Sequence, residues 1–391
     1  MPELLYPVTI GKSRDQQPLP GHNRWHPEVP PAVTVKPGSS FRMECLDWTD
    51  GQIANDDDPS DVRDVDLSVV HVLSGPVRVE GAKPGDLLVV DILDLGPLPG
   101  NEWGFTGIFD RTNGGGFLTD YYPDAAKAIW DLDGIYATSR HIPGVRFAGL
   151  SHPGLIGCAP SADLLDRWNA REAALIATDP TRVPALANPP EPHNALLGAL
   201  APGAAFDRVA REGARTVPPR EHGGNCDIKN LSRGSRCYFP VYVDGANLSV
   251  GDLHFSQGDG EISFCGAIEM AGFIDLHVEI IPGGVAKYGM VNPIFLPGPV
   301  EPRFSEYLTF EGISVDDNGV QHYLDAHLAY RNACLNAIRY LERFGYTGEQ
   351  AYLLLSSAPI EGRISGIVDV PNACATLALP TAIFDQPILP T

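Results

Sequence analysis

The chain lacks an excess of basic charge and lacks long hydrophobic runs. Its 391 residues include 28 Lys and Arg against 49 Asp and Glu, a net charge of −21. Such a field repels phosphate backbones and anionic lipid surfaces. No apolar run approaches the ~20 residues that span a bilayer, and residues 1–7 carry neither a basic n-region nor an apolar h-region. We therefore expect a cytoplasmic protein that binds neither nucleic acid nor membranes.

Cysteine is sparse, and its spacing matches no common metal or redox motif. The seven cysteines contain no C-x-x-C pair, and an odd number in a long chain argues against a disulfide framework. The sequence also lacks a G-x-S-x-G nucleophile elbow, since residues 149–154 read GLSHPG. We therefore expect a reducing compartment and an enzyme other than a serine hydrolase.

Turn-forming residues, by contrast, are abundant. The 41 Gly and 36 Pro are spread too evenly for a helical bundle, and the short Val, Ile, Leu and Tyr runs between them predict strands, for example 65–72 and 87–93. Helical periodicity predicts one helix over 161–178 with Ser161 as N-cap, a second over about 322–344 ending before Gly345, and a third over about 350–356. The fold class is therefore mainly β.

Composition divides the chain into four segments. We expect an N-terminal β unit over residues 1–100, a loop-rich insertion with one helix over 101–219, a second β unit carrying the candidate active site over 220–310, and an α/β portion over 311–391. So much irregular chain in the insertion indicates a subunit interface or a lid. Residues 76–82 and 85–87 resemble 240–246 and 251–253, which indicates two related, duplicated β units.

The second copy of this repeat continues into the densest cluster of metal-binding and proton-moving side chains, within residues 223–269. These side chains are Asp227, Lys229, His254, Asp259, Glu261 and Glu269. The glycine-flanked turn at 258–261 can aim carboxylates at one point, because glycine permits close approach and positive φ. A hairpin through this turn is predicted to bring His254, a turn carboxylate and Glu269 together.

Uncommon strings in the same region resemble the acetamidase/formamidase family. Residues 219–231, 251–261 and 266–269 read PREHGGNCDIKNL, GDLHFSQGDGE and GAIE. Supporting strings are SGP at 74–76, HPG at 152–154, APS at 159–161 and AYLLLS at 351–356. The insertion resembles that of the longer, formamidase-like members. The resemblance implies a β-sandwich or barrel core, a smaller α/β portion near the C-terminus, a cytoplasmic homo-oligomer of nitrogen metabolism, and hydrolysis of formamide and other short amides to a carboxylate and ammonia.

Amide hydrolysis requires a polarised carbonyl, an activated water and a proton for the leaving nitrogen. Carboxylates with one imidazole can hold a divalent ion with an open position, so Asp227, His254 and Glu269 are predicted as metal ligands. Zinc is the first choice because imidazole suits it, and calcium or magnesium remains an alternative.

Proton transfer is assigned to the remaining charged groups. Glu261 is predicted to be the base, Asp259 to complete or support the ligand set, and Lys229 to belong to the catalytic set. The predicted substrate-binding residues are His71, His152 and Asn225. Each histidine could serve as ligand or proton donor.

Two alternatives stay open at the level of sequence. A cysteine nucleophile is one, because Cys226, Cys237 and Cys265 lie close in sequence to Lys229 and Glu261. A non-catalytic protein that binds a small amide or urea is the other. The clustered carboxylates count against it, because a neutral amide can be bound with fewer buried charges.

Overall fold

A computed structural model describes residues 2–179, 191–299 and 303–390. Four prolines of the predicted loop-rich insertion, Pro180, Pro184, Pro189 and Pro190, lie outside these ranges. In chain order the strands are β1 (Glu3–Tyr6), β2 (Val33–Val35), β3 (Ser40–Cys45), β4 (Ser74–Val79), β5 (Leu87–Pro97), β6 (Trp103–Ile108), β7 (Ala126–Asp133), β8 (Tyr136–Ser139), β9 (Arg146–Ala148), β10 (His152–Cys158), β11 (Gly223–Asn225), β12 (Arg236–Pro240), β13 (Leu248–His254), β14 (Phe264–Met270), β15 (Gly272–Ile281), β16 (Ile294–Leu296), β17 (Tyr307–Ile313), β18 (Glu361–Gly366) and β19 (Cys374–Pro380). The helices are α1 (Ser60–Arg63), α2 (Ala162–Thr178), α3 (Ala204–Glu212), α4 (Gly284–Tyr288), α5 (Ala326–Leu341) and α6 (Gly348–Ser357).

These strands form three sheets, which confirms the mainly β prediction. A six-stranded sheet has the order β1-β3-β15-β5-β12-β16. A ten-stranded sheet has the order β11-β10-β13-β14-β6-β7-β8-β9, with β4 beside β13 and β2 beside β4. The third sheet, β17-β19-β18, belongs to the C-terminal portion. Among the described residues no helix is long and apolar enough to cross a membrane.

One hydrophobic core joins both large sheets to the C-terminal helices. Buried side chains from each layer belong to it, among them Val90 of β5, Leu253 of β13, Ile338 of α5 and Leu354 of α6. Their alternation on strands and their helical spacing on α5 and α6 put apolar faces against one another. The α/β portion is therefore packed into the same core as the sheets.

The two copies of the repeat pair crosswise. β4 and β5 come from the first copy, and β12 and β13 come from the second; β4 pairs with β13 while β5 pairs with β12. The turns interlock, because Val79 N donates to Gly245 O at 2.9 Å and Gly245 N donates to Ala82 O at 2.8 Å. Each copy thus gives one strand to each large sheet, an arrangement that fits the predicted duplication.

The predicted strand over 87–93 is confirmed and extends to Pro97 within β5. The strand predicted over 65–72 is wrong. Val69 and Val70 are buried there, but their backbone is held by loops and not by a ladder: Asn23 Nδ2 donates to Val69 O at 2.8 Å, and His71 N donates to Thr216 Oγ1 at 2.6 Å. The apolar run reflected burial without strand pairing.

The three predicted helices are confirmed, and their first residues follow their caps. Ser161 accepts a hydrogen bond from Leu164 N, as predicted. The second helix begins at Ala326, four residues after the predicted start, because the Asp325 side chain caps it through Leu328 N. Gly345, in the left-handed region with φ +93°, follows a final 3-10 turn.

Helix α6 begins with a capping box. The Thr347 hydroxyl accepts from Gln350 N at 3.2 Å, and Gln350 Oε1 accepts from Thr347 N at 2.9 Å. Both interactions satisfy backbone groups that a helix leaves free at its first turn. The start of α6 therefore depends on these two side chains.

We predict that Thr347→Ala lowers the free energy of unfolding by about 0.5–2 kcal/mol, because the cap is lost. The matched control Thr347→Ser keeps the hydroxyl and should stay near the parent. Urea titration measures both variants. Equal destabilisation by Ala and Ser would contradict the capping role.

Candidate active site

Three neighbouring strands align the central residues of the site. His254 ends β13, where it faces His152 of β10 on one side and Glu269 of β14 on the other. All three are buried. His254 Nε2 lies 3.0 Å from Glu269 Oε2 and 3.3 Å from Asp252 Oδ1. Strand register thus produces a buried imidazole between carboxylates.

The other nitrogen of this imidazole faces an amide. His254 Nδ1 lies 3.0 Å from Gln257 Oε1 and 3.2 Å from His152 Nε2. Gln257 is fixed in turn, because its Nε2 donates to Asp227 O at 2.8 Å. Since an amide oxygen only accepts, His254 Nδ1 carries a proton. The Nε2 edge of the ring is therefore the one presented to the carboxylates.

Two groups of ligand-type atoms share His254. One comprises Asp227, His254 and Glu261, and the other comprises Asp252, His254 and Glu269; within each group the candidate atoms lie within 4.8 Å of one another. The predicted ligand set of Asp227, His254 and Glu269 takes one carboxylate from each group. The predicted base Glu261 lies beside Asp227.

Three of the four carboxylates stand on strained backbone. Asp227, Asp252 and Glu261 have φ of 49°, 54° and 46°, in the left-handed region that non-glycine residues seldom adopt. Such strain costs about 1–3 kcal/mol per residue and clusters at functional sites. The surrounding fold therefore holds these carboxylates against their local preference.

The pKa values of the clustered carboxyl groups are shifted in opposite directions. Burial, together with the neighbouring charge of Asp252, raises the pKa of Asp227 to about 7. Burial and the charge of Asp227 raise the pKa of Glu261 well above its usual value. Burial would also raise the pKa of Asp252, but the adjacent His254 imidazolium outweighs it and holds that pKa at about 2. When the environments of adjacent acids differ this much, one acid can carry a proton while another stays ionised.

Electrostatics also favour positive charge at the centre of this cluster. Burial alone would lower the pKa of His254, but Glu269 and Asp252 raise it well above its usual value. Asp227 Oδ1, His254 Nε2 and Glu269 Oε2 are buried and have no aligned hydrogen-bond partner among the described residues. The His254 to Glu269 contact is short but not oriented as a hydrogen bond. Carboxylate oxygens and imidazole nitrogens that lack hydrogen-bond partners are suitable ligands for a divalent cation.

The predicted pair of Lys229 and Asp259 has a different place. Lys229 Nζ lies 3.0 Å from Asp259 Oδ1 and donates to Ile360 O at 2.5 Å. Asp259 Oδ2 accepts from Gly362 N at 2.8 Å. Because Asp259 is directed at these partners, it belongs to neither carboxylate–imidazole group. The pair bridges the 258–261 turn to the C-terminal portion, so this geometry fits a supporting role for Asp259 better than a place among the ligands, and the predicted role stays a prediction.

The three predicted substrate-binding residues surround the cluster at different ranges. His152 contacts His254 directly, and burial lowers the pKa of His152 to about 3, which keeps the ring neutral. His71 is buried against Trp48, with ring centroids 5.3 Å apart. Asn225, on β11, has a buried Oδ1 without a hydrogen-bond partner among the described residues. Only His152 is in contact with the central imidazole in the geometry described above.

Sequence reasoning missed two members of the site. Asp252 aligns with Asp86 of the first repeat copy, which lies at a turn, whereas β13 runs through Asp252 and buries it. Gln257 carries no charge and therefore gave no signal by composition. Its position three residues after His254, in the string shared with the family, was the available signal.

Burial disfavours the reactive thiolate form of the three candidate cysteines. Burial raises the pKa of Cys226 to about 11 and that of Cys265 well above its usual value, so both remain thiols near neutral pH. Cys237 is buried in β12 of the other sheet, and burial raises its pKa to about 12. These shifts favour the carboxylate route over the cysteine alternative, which the Cys226 variant described below tests.

A buried imidazole among acids that differ in pKa, three of them on strained backbone, has the features of an acid–base active site. The model of the Acetamidase/Formamidase family matches residues 7–386, and the chain belongs to this family. The predicted family and the predicted amidohydrolase class are confirmed.

Several relatives are close. A formamidase of Methylophilus methylotrophus is 64% identical over 94% of this chain and 90% of its own length. An acetamidase of Mycolicibacterium smegmatis is 64% identical over 93% of this chain and 91% of its own length. A solved structure described as a gamma lactamase from Delftia acidovorans is 64% identical, with a TM-score of 0.97 over 100% of this chain and 95% of that one.

Gly154 permits the close packing of the cluster. A Cβ at this position would lie 2.6 Å from His254 Cε1, 2.7 Å from Asp252 Oδ2 and 2.8 Å from Asp227 Oδ1. We predict that Gly154→Ala pushes these groups apart and lowers amide turnover about 10²-fold, the usual cost of displacing catalytic groups by about 1 Å. Steady-state ammonia release measures the effect.

The matched control is Gly96→Ala in β5, where a Cβ would make an ordinary 3.6 Å contact with Phe273. This variant should retain parental turnover. Full activity of Gly154→Ala would contradict the requirement for close approach at the cluster.

Proposed function

We propose that this enzyme hydrolyses formamide and other short aliphatic amides, with a divalent metal, preferably zinc, held by Asp227, His254 and Glu269. The 64% identical formamidase and acetamidase support the choice of substrate. The metal is proposed because buried oxygen and nitrogen atoms near His254 Nε2 lack hydrogen-bond partners among the described residues. An imidazole nitrogen in the set favours zinc over calcium or magnesium.

The chain's own residues perform the positioning and the proton transfer. When bound, a divalent ion supplies Lewis acidity toward the amide carbonyl and lowers the pKa of water. Gln257 and His152 contact the Nδ1 side of the His254 ring, and Asp252 lies beside its Nε2. Neither role requires these three residues to contact the substrate.

Glu261 is the proposed base. It takes a proton from the attacking water as the new C–O bond forms, and it delivers that proton to the nitrogen as the C–N bond breaks. The products are the carboxylic acid and ammonia, so atoms and protons balance. The raised pKa favours retention of the proton between the two transfers, and a cation held beside Asp227 would oppose that rise and leave Glu261 ionised before the first transfer.

Opening of small lactams is a second candidate activity. The gamma lactamase structure shares 64% of its sequence and a TM-score of 0.97 with this chain. A γ-lactam is a cyclic amide, so the same C–N cleavage opens its ring. Assays of ammonia release from formamide, acetamide, propionamide and urea, and of ring opening of a γ-lactam, test both activities.

A non-catalytic amide-binding protein fits this site poorly. Burying an unpaired carboxylate is costly, and a neutral ligand does not require four of them. Binding of these amides without turnover of any would overturn the proposed hydrolysis. From the family resemblance we also propose a cytoplasmic homo-oligomer.

We predict that metal removal abolishes turnover. Dialysis against a chelator should lower ammonia release from formamide to background, and adding back zinc should restore it, while elemental analysis counts the bound ions. Undiminished activity in a verified metal-free preparation would contradict the metal-assisted route.

We predict that Glu261→Gln lowers turnover by about 10²–10⁴-fold while folding is spared, because the amide keeps the shape but not the basicity. Cys226→Ala is the matched control and should retain most activity. Turnover and thermal midpoint are measured for both. An active Glu261→Gln enzyme beside an inactive, folded Cys226→Ala enzyme would instead identify Cys226 as the nucleophile.

A further inference from the structure

A cavity of about 330 Å³ lies beside Glu269 and is far larger than formamide requires. A water molecule occupies about 30 Å³ in the liquid, and formamide has only three heavy atoms. The cavity is lined by residues 10–13 near the N-terminus, by the 46–53 segment, by the start of β6 and by the end of β14. Its size indicates room for a substituent on the carbonyl.

Part of the cavity lining is apolar, and the Trp103 side chain in it is held by specific contacts. Leu46, Ile53, Trp103 and Phe105 all line it. Trp103 is fixed at both ends, since its Nε1 donates to Asn101 Oδ1 at 3.0 Å and its ring lies 6.2 Å from that of Phe105. Such a surface suits an aliphatic chain, and a fixed indole sets a size limit.

Ionisable side chains also line the cavity, among them Lys12 and Asp50. The Asp50 side chain is 9% exposed, and its Oδ2 lies 3.1 Å from Arg14 Nε. Polar groups beside an apolar surface suit a ligand with one polar end and one aliphatic end, as an aliphatic amide has.

We propose that this cavity is the substrate chamber of the active site, and that Trp103 and Ile53 limit the length of the acyl chain. The proposal rests on the proposed amide hydrolysis and deepens it. It makes the enzyme an amidase for unbranched aliphatic amides longer than formamide, with the cutoff set by the indole.

A second cavity provides a control inside the same chain. It has about 340 Å³ and shares Leu46 and Asp50 with the first, but it is not lined by Glu269. Phe206 lines it and does not line the first cavity. A Phe206→Ala variant therefore removes a comparable aromatic wall away from the site.

The test is kcat/KM for straight-chain amides from formamide to hexanamide. In Trp103→Ala we expect the ratio of kcat/KM for hexanamide to that for formamide to rise at least about tenfold, since one methylene in a pocket is worth about 10–200-fold. Ile53→Ala should shift the ratio in the same direction by less, and Phe206→Ala should leave it unchanged.

An unchanged ratio in Trp103→Ala and Ile53→Ala variants that still hydrolyse formamide would overturn the chamber and leave the amidase proposal intact. A shift of the same size in Phe206→Ala would also overturn it. If Trp103→Ala fails to fold, Ile53→Ala and Trp103→Phe decide the matter by the same ratio. No turnover of any amide by the parent would overturn both proposals.

Discussion

The contact between the His254 imidazole and the buried carboxylates constrains most of this structure. Removing an ion from water costs several kcal/mol even after relaxation, and attraction between ions repays this only in accurate geometry. Here the geometry comes from register: β10, β13 and β14 place His152, His254 and Glu269 side by side. Sliding one strand by a single residue would turn its side chain to the other face of the sheet.

The crosswise repeat explains how a chain could acquire such a site without losing its core. Both copies keep the interlocked turns and give one strand to each large sheet. At aligned positions the first copy has the core residue Leu88 and the second has His254, yet Val250, Leu253 and Phe255 of the second copy also belong to the core. The ionisable groups therefore occupy single positions within a strand that still packs into the core.

What sequence could predict here depended on the range of the interaction. The cap of α2 obeys a rule that spans three residues, so the start of that helix was predicted from Ser161, whereas α6 was predicted without its cap and starts two residues before the predicted start. The strand predicted over 65–72 was wrong because the backbone of this segment bonds to Asn23 and Thr216, which are distant in sequence, and not to a neighbouring strand. The site lay between these cases. Its carboxylates were visible as a cluster, but the pairing of Asp259 with Lys229 depends on a contact between residues 30 positions apart. Asp252 lies two residues before His254 on β13, so strand periodicity alone places both on one face.

Those tertiary contacts also show why the C-terminal portion cannot be treated as an appendage. The turn that carries Glu261 is held from α5 and α6: Gly258 N donates to Ser356 O at 2.8 Å, and Tyr330 Oη donates to Asp259 O at 2.5 Å. A Cβ at Gly258 would lie 2.0 Å from Leu355 O, so the helix packs directly on the turn. Local hydrogen bonds from Glu261 N to Gly258 O at 3.0 Å and from Phe264 N to Glu261 O at 3.2 Å shape this turn. The contacts from α5 and α6 hold the same turn from outside, so the proposed base is also positioned by residues about 70 to 100 positions later in the chain.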